Sequence, residues 1–257
     1  MPDYAEFSDP RLVALYDTLC PVDGYRAFYL DLADRLNASS IIDIGCGSGM
    51  LTCALARPGR RLAGLEPAGA MLALARRRAG SEAIEWIEGD VRHLGAREAD
   101  LAIMTGHVAQ FFIDDKSWRS ALAAVGQALR PGGHFAFESR NPLVQPWAPG
   151  RSARHIDWPS EANCRTTRDP IAGEIEFWTE IGRVDGDRLS YENHYRLLAT
   201  GERLVSRNKL RFPSREALTR SLIEAGFVIE SVFGDWDGRP AHGDSPELIF
   251  LASTPSA

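Results

Sequence analysis

Apolar residues change their period several times along the chain, and each change marks an element. Ile41-Ile42-Asp43-Ile44 is a short β-branched run with the pattern of a buried strand. Three alternating glycines follow in Gly45-Cys46-Gly47-Ser48-Gly49, and Met50 to Ala56 continues as a helix without Gly or Pro. Upstream, Asp9 caps Pro10, and Leu12, Leu15, Tyr16 and Leu19 recur at three- and four-residue spacing until Pro21 stops the run. From Val22, a second helix puts Phe28, Leu32 and Leu36 on one face and ends near Asn37. Downstream of the glycines, strands and helices alternate. Strands are expected over Arg61–Leu65, Ala83–Ile87, Asp100–Met104 and His134–Glu138. A helix over Gly69–Arg78 turns Met71, Leu72, Leu74 and Ala75 inward, and another carries Trp118, Leu122 and Leu129 before Arg130-Pro131-Gly132-Gly133 ends it.

Between Leu143 and Arg211 the period falls to two. Glu174–Val184, Leu189–Leu198 and Arg203–Phe212 each alternate, with a hairpin signal at Asp185-Gly186 and a turn at Gly201. One face of this layer would collect Ile175, Phe177, Thr179 and Ile181, while Trp178 points away with Glu174, Glu176 and Glu180. Ser214 then caps a helix bearing Leu218, Leu222 and Ile223, ended by Gly226, and Phe227–Phe233 and Leu248–Ala252 read as a final strand pair. The expected class is α/β: a Rossmann-like, seven-stranded, mostly parallel sheet with helices on both faces and an inserted antiparallel β-layer. Residues 1–257 read as one domain, with covering helices over 1–38 and the insert over 143–211.

A strand, a glycine turn and a helix together make a nucleotide-type pocket. Glycines let the backbone approach a ligand, and the new helix aims free N–H groups at the same spot. A dinucleotide fingerprint needs Gly at the sixth position, where this chain has Met50, so a pyrophosphate is disfavoured. Glu66 follows Gly49 by 17 residues at the tip of the second strand, where an acidic side chain can accept both ribose hydroxyls of a nucleoside.

The stretch Ile41–Thr52 resembles the first motif of the class I S-adenosylmethionine-dependent methyltransferases, and Leu-Arg-Pro-Gly-Gly at 129–133 resembles another hallmark of that family. The resemblance implies S-adenosylmethionine as cofactor. It gives the backbone of Gly45, Cys46, Gly47 and Gly49 to the methionine tail and Glu66 to the ribose. Pro67 and Met71 would touch adenosine, Asp90 would accept the adenine amine, and Val91 would offer backbone to the ring edge. Tyr16 is a candidate to cover the methionine end, with an ordinary amphipathic tyrosine as the other reading, and Thr105 completes the cofactor set.

Strands one and four are neighbours in such a sheet, so His107, just past strand four, falls near the point of methyl transfer. Base, binding and structural roles all stay open for it. Glu138 and Arg140 occupy the next strand tip, Arg140 as a catalytic and Glu138 as a substrate-site candidate, with an internal ion pair between them as the plainer reading. Tyr191, Tyr195 and Trp236, with Trp178, suit an aromatic-lined acceptor pocket for an aromatic or terpenoid metabolite, although core packing also accounts for them. Arg203, Val205, Arg207, Lys209 and Arg211 form a mostly basic stripe that suits either an anionic substrate or a solvated face beside acidic partners.

Composition narrows the partners. With 29 basic and 35 acidic residues the net charge is -6, which gives no cationic field for nucleic acid. Signatures for methylating nucleic-acid bases, Asn-Pro-Pro-Tyr or a Pro-Cys nucleophile, are missing too, so a small-molecule acceptor is expected. Its O, N or C atom is not legible. Cys20, Cys46, Cys53 and Cys164 lack metal-ligand spacing and read as free thiols, with no metal expected. No apolar run is long enough for a membrane span and no signal peptide is seen, so the cytoplasm is the default compartment, with a monomer or homodimer. The competing readings are a non-catalytic or partner-activated methyltransferase-like module and, further off, a nicotinamide-dependent oxidoreductase.

Overall fold

The computed structural model describes residues 2–20, 23–148 and 158–256; the expected helix stop at Pro21 and start at Val22 lie outside them. A single turn, α1 (Ala5–Ser8), leads into α2 (Pro10–Leu19), where the Asp9 carboxylate accepts from Arg11 N–H as the N-cap. Helix α3 (Asp23–Arg35) precedes the first strand. The sheet region then runs β1 (Ser40–Ile44), α4 (Met50–Ala54), β2 (Arg61–Glu66), α5 (Gly69–Ala75), β3 (Ile84–Glu88), β4 (Ala99–Met104), α6 (Asp115–Ala128) and β5 (Leu129–Arg140). The insert contributes β6 (Arg165–Asp169), β7 (Gly173–Asp185), β8 (Arg188–Leu197) and β9 (Arg203–Arg211), and α7 (Arg215–Glu224), β10 (Val228–Phe233) and β11 (Glu247–Ser253) follow.

Seven strands pair in the order β10-β11-β5-β4-β1-β2-β3. The pairs from β3 through β5 are parallel, and β11 is antiparallel to both its neighbours. Because successive strand residues face opposite sides, Ile42 and Ile44 pack with Trp118, Leu122 and Val125 of α6 and Leu222 of α7. Ile41 packs the other way, with Phe28 and Leu32 of α3 and Leu51 of α4. The order reverses at β1 and β4, so a crevice opens outside their carboxyl ends.

The other four strands form a separate antiparallel sheet in the order β6-β7-β8-β9. Helix α2 seats Leu12, Leu15 and Leu19 on its inner face, against Ile175, Tyr195 and Leu204. Its outer face is less polar than alternation suggests. Trp178 is buried there because His194 stacks on it, ring centroids 5.0 Å apart, and the Arg196 guanidinium lies over it.

Three expectations are corrected. Strand β6 escapes a hydrophobic reading because its sequence, Arg-Thr-Thr-Arg-Asp, has no apolar residue; β7 recruits it by backbone pairing, and Asp169 and Arg165 tie it to Thr18 and Leu19 of α2. Arg130-Pro131-Gly132-Gly133 does not separate helix from strand, because β5 starts at Leu129 and carries those residues as an irregularity before resuming register at His134. A Cβ on Gly133 would sit 2.8 Å from the Ala99 carbonyl oxygen, so only glycine lets the two strands approach. Helix α5 ends at Ala75, short of Arg78, whose side chain is used elsewhere.

Candidate cofactor crevice and acceptor chamber

The glycine turn is built by steric necessity. Gly45, Gly47 and Gly49 all have φ between 55° and 75°. A Cβ on Gly45 would lie 2.5 Å from Val108, and one on Gly49 would lie 2.7 Å from the Trp86 ring and 2.9 Å from Ala75. At Gly47 the nearest atom is Met71 Cε at 3.6 Å, so the turn is open on that side.

Glu66, 7% exposed at the end of β2, reaches across to this turn: Oε2 accepts from Gly47 N–H at 2.9 Å and Oε1 from Ala68 N–H at 2.9 Å. Burial pushes its carboxyl up, and the two amide donors oppose the rise. Each oxygen keeps acceptor capacity for a further donor. Asp43, in the middle of β1, is 1% exposed; Thr52 Oγ1 donates to its Oδ2 at 2.6 Å, while Oδ1 is buried with no partner. Burial lifts the Asp43 carboxyl to about 7, helped by the charge of Glu66. An orphaned carboxylate oxygen under a glycine turn fits a ligand that brings a donor.

Helix α2 is fastened over the turn. Ser48 Oγ donates to Asp17 Oδ1 at 2.6 Å, and Arg78 pairs with Asp17 while donating to Ser48 Oγ at 3.0 Å. Tyr16, one residue before Asp17, is half-buried against Phe7, and burial holds its hydroxyl well above the usual range, with Glu66 among the nearby charges. Cys46 sits inside the turn with its thiol pushed up by burial. Thr105, at the mouth of β4, meets the Tyr25 hydroxyl. Met71 is buried beside the turn and Pro67 is exposed beyond the tip of β2.

Asp90 stands at the β3 tip, and its carboxylate is already occupied. It caps the turn at Val91–His93 and takes Nε and Nη2 of Arg92 at 2.6–3.0 Å, and these bonds hold it down at about 2. Val91 is buried beneath it.

At the tips of β4 and β5 the side chains form a network. His107 has φ 63°, and its N–H donates to Glu138 Oε1 at 2.9 Å; Tyr29 donates a short bond to Glu138 Oε2. His107 Nε2 lies 3.0 and 3.1 Å from the two oxygens of Glu247. Glu138 is fully buried, and desolvation raises its carboxyl to about 8. The expected ion pair between Glu138 and Arg140 is absent among the described residues: Tyr29 and His107 claim the carboxylate, and Arg140 turns to Gln110, donating from Nη1 at 2.9 Å.

The remaining predicted residues fall into separate groups. Tyr195 donates to Glu6 Oε2 at 3.0 Å, and Asn193 donates to the same oxygen at 2.8 Å. Tyr191 packs edge-on to Trp158, with centroids 4.9 Å apart. Trp236 lies apart from both, among Tyr25, Phe28 and Tyr29 of α3, so a pocket shared by all three rings is not formed by direct contact. Two of the four cations in the basic stripe are paired, Arg207 with Asp3 and Glu192 and Arg211 with Asp187 and Asp115. Sequence reasoning missed Asp43, Asp17, Tyr29, Glu6 and Glu247. Only Asp43, an acid inside an otherwise apolar strand, carried a local signal.

A family model described as a methyltransferase domain matches residues 41–133, from β1 into β5. Residues 41–133 thus carry a methyltransferase domain of the class I S-adenosylmethionine-dependent type. It is 30% identical over 127 residues to a ubiquinone biosynthesis O-methyltransferase of Cronobacter sakazakii, covering 48% of this chain and 50% of that protein. It is 29% identical over 175 residues to a trans-aconitate 2-methyltransferase of Azoarcus sp., covering 67% and 57%. The chain thus spans about half the length of the curated relatives it matches. An amino pentose methyltransferase from Micromonospora echinaspora is similar along 89% of this chain and 91% of its own, at 25% identity and a TM-score of 0.64. A Clostridium acetobutylicum S-adenosylmethionine-dependent methyltransferase shares the fold over 96% and 98%, with a TM-score of 0.75 at 18% identity. S-adenosylmethionine is the cofactor of this methyltransferase family, and the orphaned Asp43 oxygen and the open side of Gly47 suit its charged methionine end. No described helix is long and apolar enough to cross a membrane, and no metal-binding cluster occurs among the described residues.

Proposed function

We propose that the protein methylates a small-molecule acceptor, using S-adenosylmethionine bound across the ends of β1, β2 and β4. The observation that carries this reading is Glu66 at the tip of β2, bonded to the open glycine turn at 2.9 Å. A carboxylate so placed accepts ribose hydroxyls and repels a 2′-phosphate. The cofactor supplies an electrophilic methyl group on a sulfonium.

The chain's own residues bind, orient and exclude water. Gly45 to Gly49 admit the methionine tail, with the orphaned Asp43 oxygen ready to take its ammonium hydrogens. Met71 and Pro67 flank the adenosine, and Val91 offers backbone to the adenine edge. Asp90 accepts the adenine amine once it shares its oxygens with Arg92. Tyr16 and Thr105 close over the methionine end, with α2 fastened there by Asp17, Ser48 and Arg78. Holding donor and acceptor in line is worth about 7–11 kcal/mol of barrier, so a dedicated base is optional for an acceptor that is already nucleophilic. His107, fixed by Glu247 and Glu138, is the side chain proposed to meet the acceptor at the transfer point.

The region where α2, the turn at 108–111 and the antiparallel sheet meet is the proposed acceptor side. A small-molecule acceptor is supported by its aromatic and hydrogen-bonding lining and by relatives named for ubiquinone biosynthesis and for an amino pentose. The test is methyl release from labelled S-adenosylmethionine against a metabolite panel, alone and with candidate proteins. Turnover with at least one small molecule supports the reading; turnover only with a protein present would move it to a partner-activated module.

A further inference from the structure

Arg140 is the last residue of β5, and no described residue gives its guanidinium a contacting counter-ion. Its Nη1 donates to Gln110 Oε1 at 2.9 Å, and Gln110, itself fully buried, is oriented by donating from Nε2 to the Arg211 carbonyl at 2.9 Å. That clamp fixes the guanidinium plane. Arg140 Nε is nevertheless sealed from solvent with no hydrogen-bond partner, and burial presses the charge downward.

The nearby carboxylates are committed elsewhere. Glu247 lies directly across the strand pair from Arg140, but both its oxygens face His107 Nε2. Glu138, two residues before Arg140 on the same face, gives one oxygen to Tyr29 and the other to His107 N–H. No described carboxylate comes within ion-pair distance of Arg140. A second orphan sits beside it: the Trp158 ring lies 5.9 Å from the guanidinium carbon, and its indole Nε1–H is also buried without a partner. Trp158 is in turn held edge-on by Tyr191.

A half-buried charge with no described counter-ion and two buried donors left unsatisfied are both costly, and a fold retains them where a ligand completes them. We infer that Arg140 and Trp158 form an oxyanion subsite, and that the methyl acceptor carries a carboxylate or phosphate group that docks there. This rests on the methyltransferase reading above and narrows its acceptor to an acid. Arg140 is then an anchor: it donates from Nε to the oxyanion, the indole N–H supplies a second bond, and Tyr191 stiffens the indole.

The experiment titrates the protein, saturated with S-adenosylhomocysteine, with small carboxylic acids and phosphate monoesters, each paired with its neutral methyl ester or amide. The acids are expected to bind at least ten-fold more tightly than their neutral partners, and whichever arm binds, carboxylate or phosphate, identifies the group. Arg140→Gln should erase the preference, Arg140→Lys should keep part of it, and Trp158→Phe should weaken acid binding with the fold intact by circular dichroism. Equal binding of acids and neutral partners, binding by no acid, or a preference that survives Arg140→Gln would overturn the inference. Affinity for S-adenosylhomocysteine is measured in every variant. Its absence in the wild type would remove the methyltransferase reading itself, whereas its presence without acid preference would remove the oxyanion subsite alone.

Discussion

Both carboxylate oxygens of Glu247 lie within hydrogen-bond distance of one atom, His107 Nε2, at 3.1 and 3.0 Å. The two residues are 140 positions apart, and β11 brings them together by inserting antiparallel beside β5. With its N–H on Glu138, the imidazole is gripped from ring and backbone at once. If that grip positions His107 for transfer, His107→Asn and Glu247→Gln act as one unit. A double-mutant cycle on kcat/KM should give a coupling of about 0.5–3 kcal/mol. Additive effects would separate the pair.

Glu138 ties stability to pH. Its folded-state carboxyl sits at about 8 because burial disfavours the charge, against about 4.3 in an unfolded chain. A raised carboxyl contributes stability that is complete below about pH 4.3 and lost as pH rises through about 8. Glu138→Gln removes that dependence, because Tyr29 can rotate its hydroxyl to accept from the amide. The variant should gain on the wild type as pH rises from 5 to 9, by on the order of a few kcal/mol at the upper end. Thermal melts of both proteins across that range check the slope; parallel curves would reject the assignment.

Glu66 serves the turn and, by the proposal, the ribose. Glu66→Ala deletes its bonds to Gly47 and Ala68 together with those to the ligand. S-adenosylhomocysteine should bind more weakly by about 1–3 kcal/mol, while Glu66→Gln should lose less. An unchanged dissociation constant for Glu66→Ala would detach the residue from the cofactor.

Gly49 tests the packing of the crevice. A methyl at this position meets Trp86 at 2.7 Å and Ala75 at 2.9 Å, on a backbone at φ 75°. Gly49→Ala should cost about 1–3 kcal/mol of folding stability from overpacking and strain. Chemical denaturation reads it directly. A fully stable variant would mean that α4 can slide away from β3.

The candidate cofactor crevice could be placed from the sequence because its residues are local. Strand, glycines and helix lie within Ile41–Ala54, and Glu66 and Asp90 stand at the next two strand tips, so period and order alone locate them. The proposed acceptor half depends on contacts far apart in sequence, which periodicity cannot see. Nothing in Leu248–Ala252 announced that Glu247, at its border, would reach His107, and no spacing joined Tyr29 to Glu138 or Glu6 to Tyr195. Arg140 and Glu138 looked like a natural pair at two-residue spacing. The outcome differed because each found partners from other elements: Gln110 for Arg140, and Tyr29 and His107 for Glu138. Strand β6 was silent for a related reason, since its order comes from pairing with β7 and from polar bonds to α2 rather than from apolar burial.

The most direct measurement is calorimetric titration of the protein with S-adenosylhomocysteine, with NADH as the control. The account predicts saturable one-to-one binding of the nucleoside, weakened in Glu66→Ala, and no heat from NADH. A flat titration with S-adenosylhomocysteine, or saturable binding of NADH in its place, would contradict it.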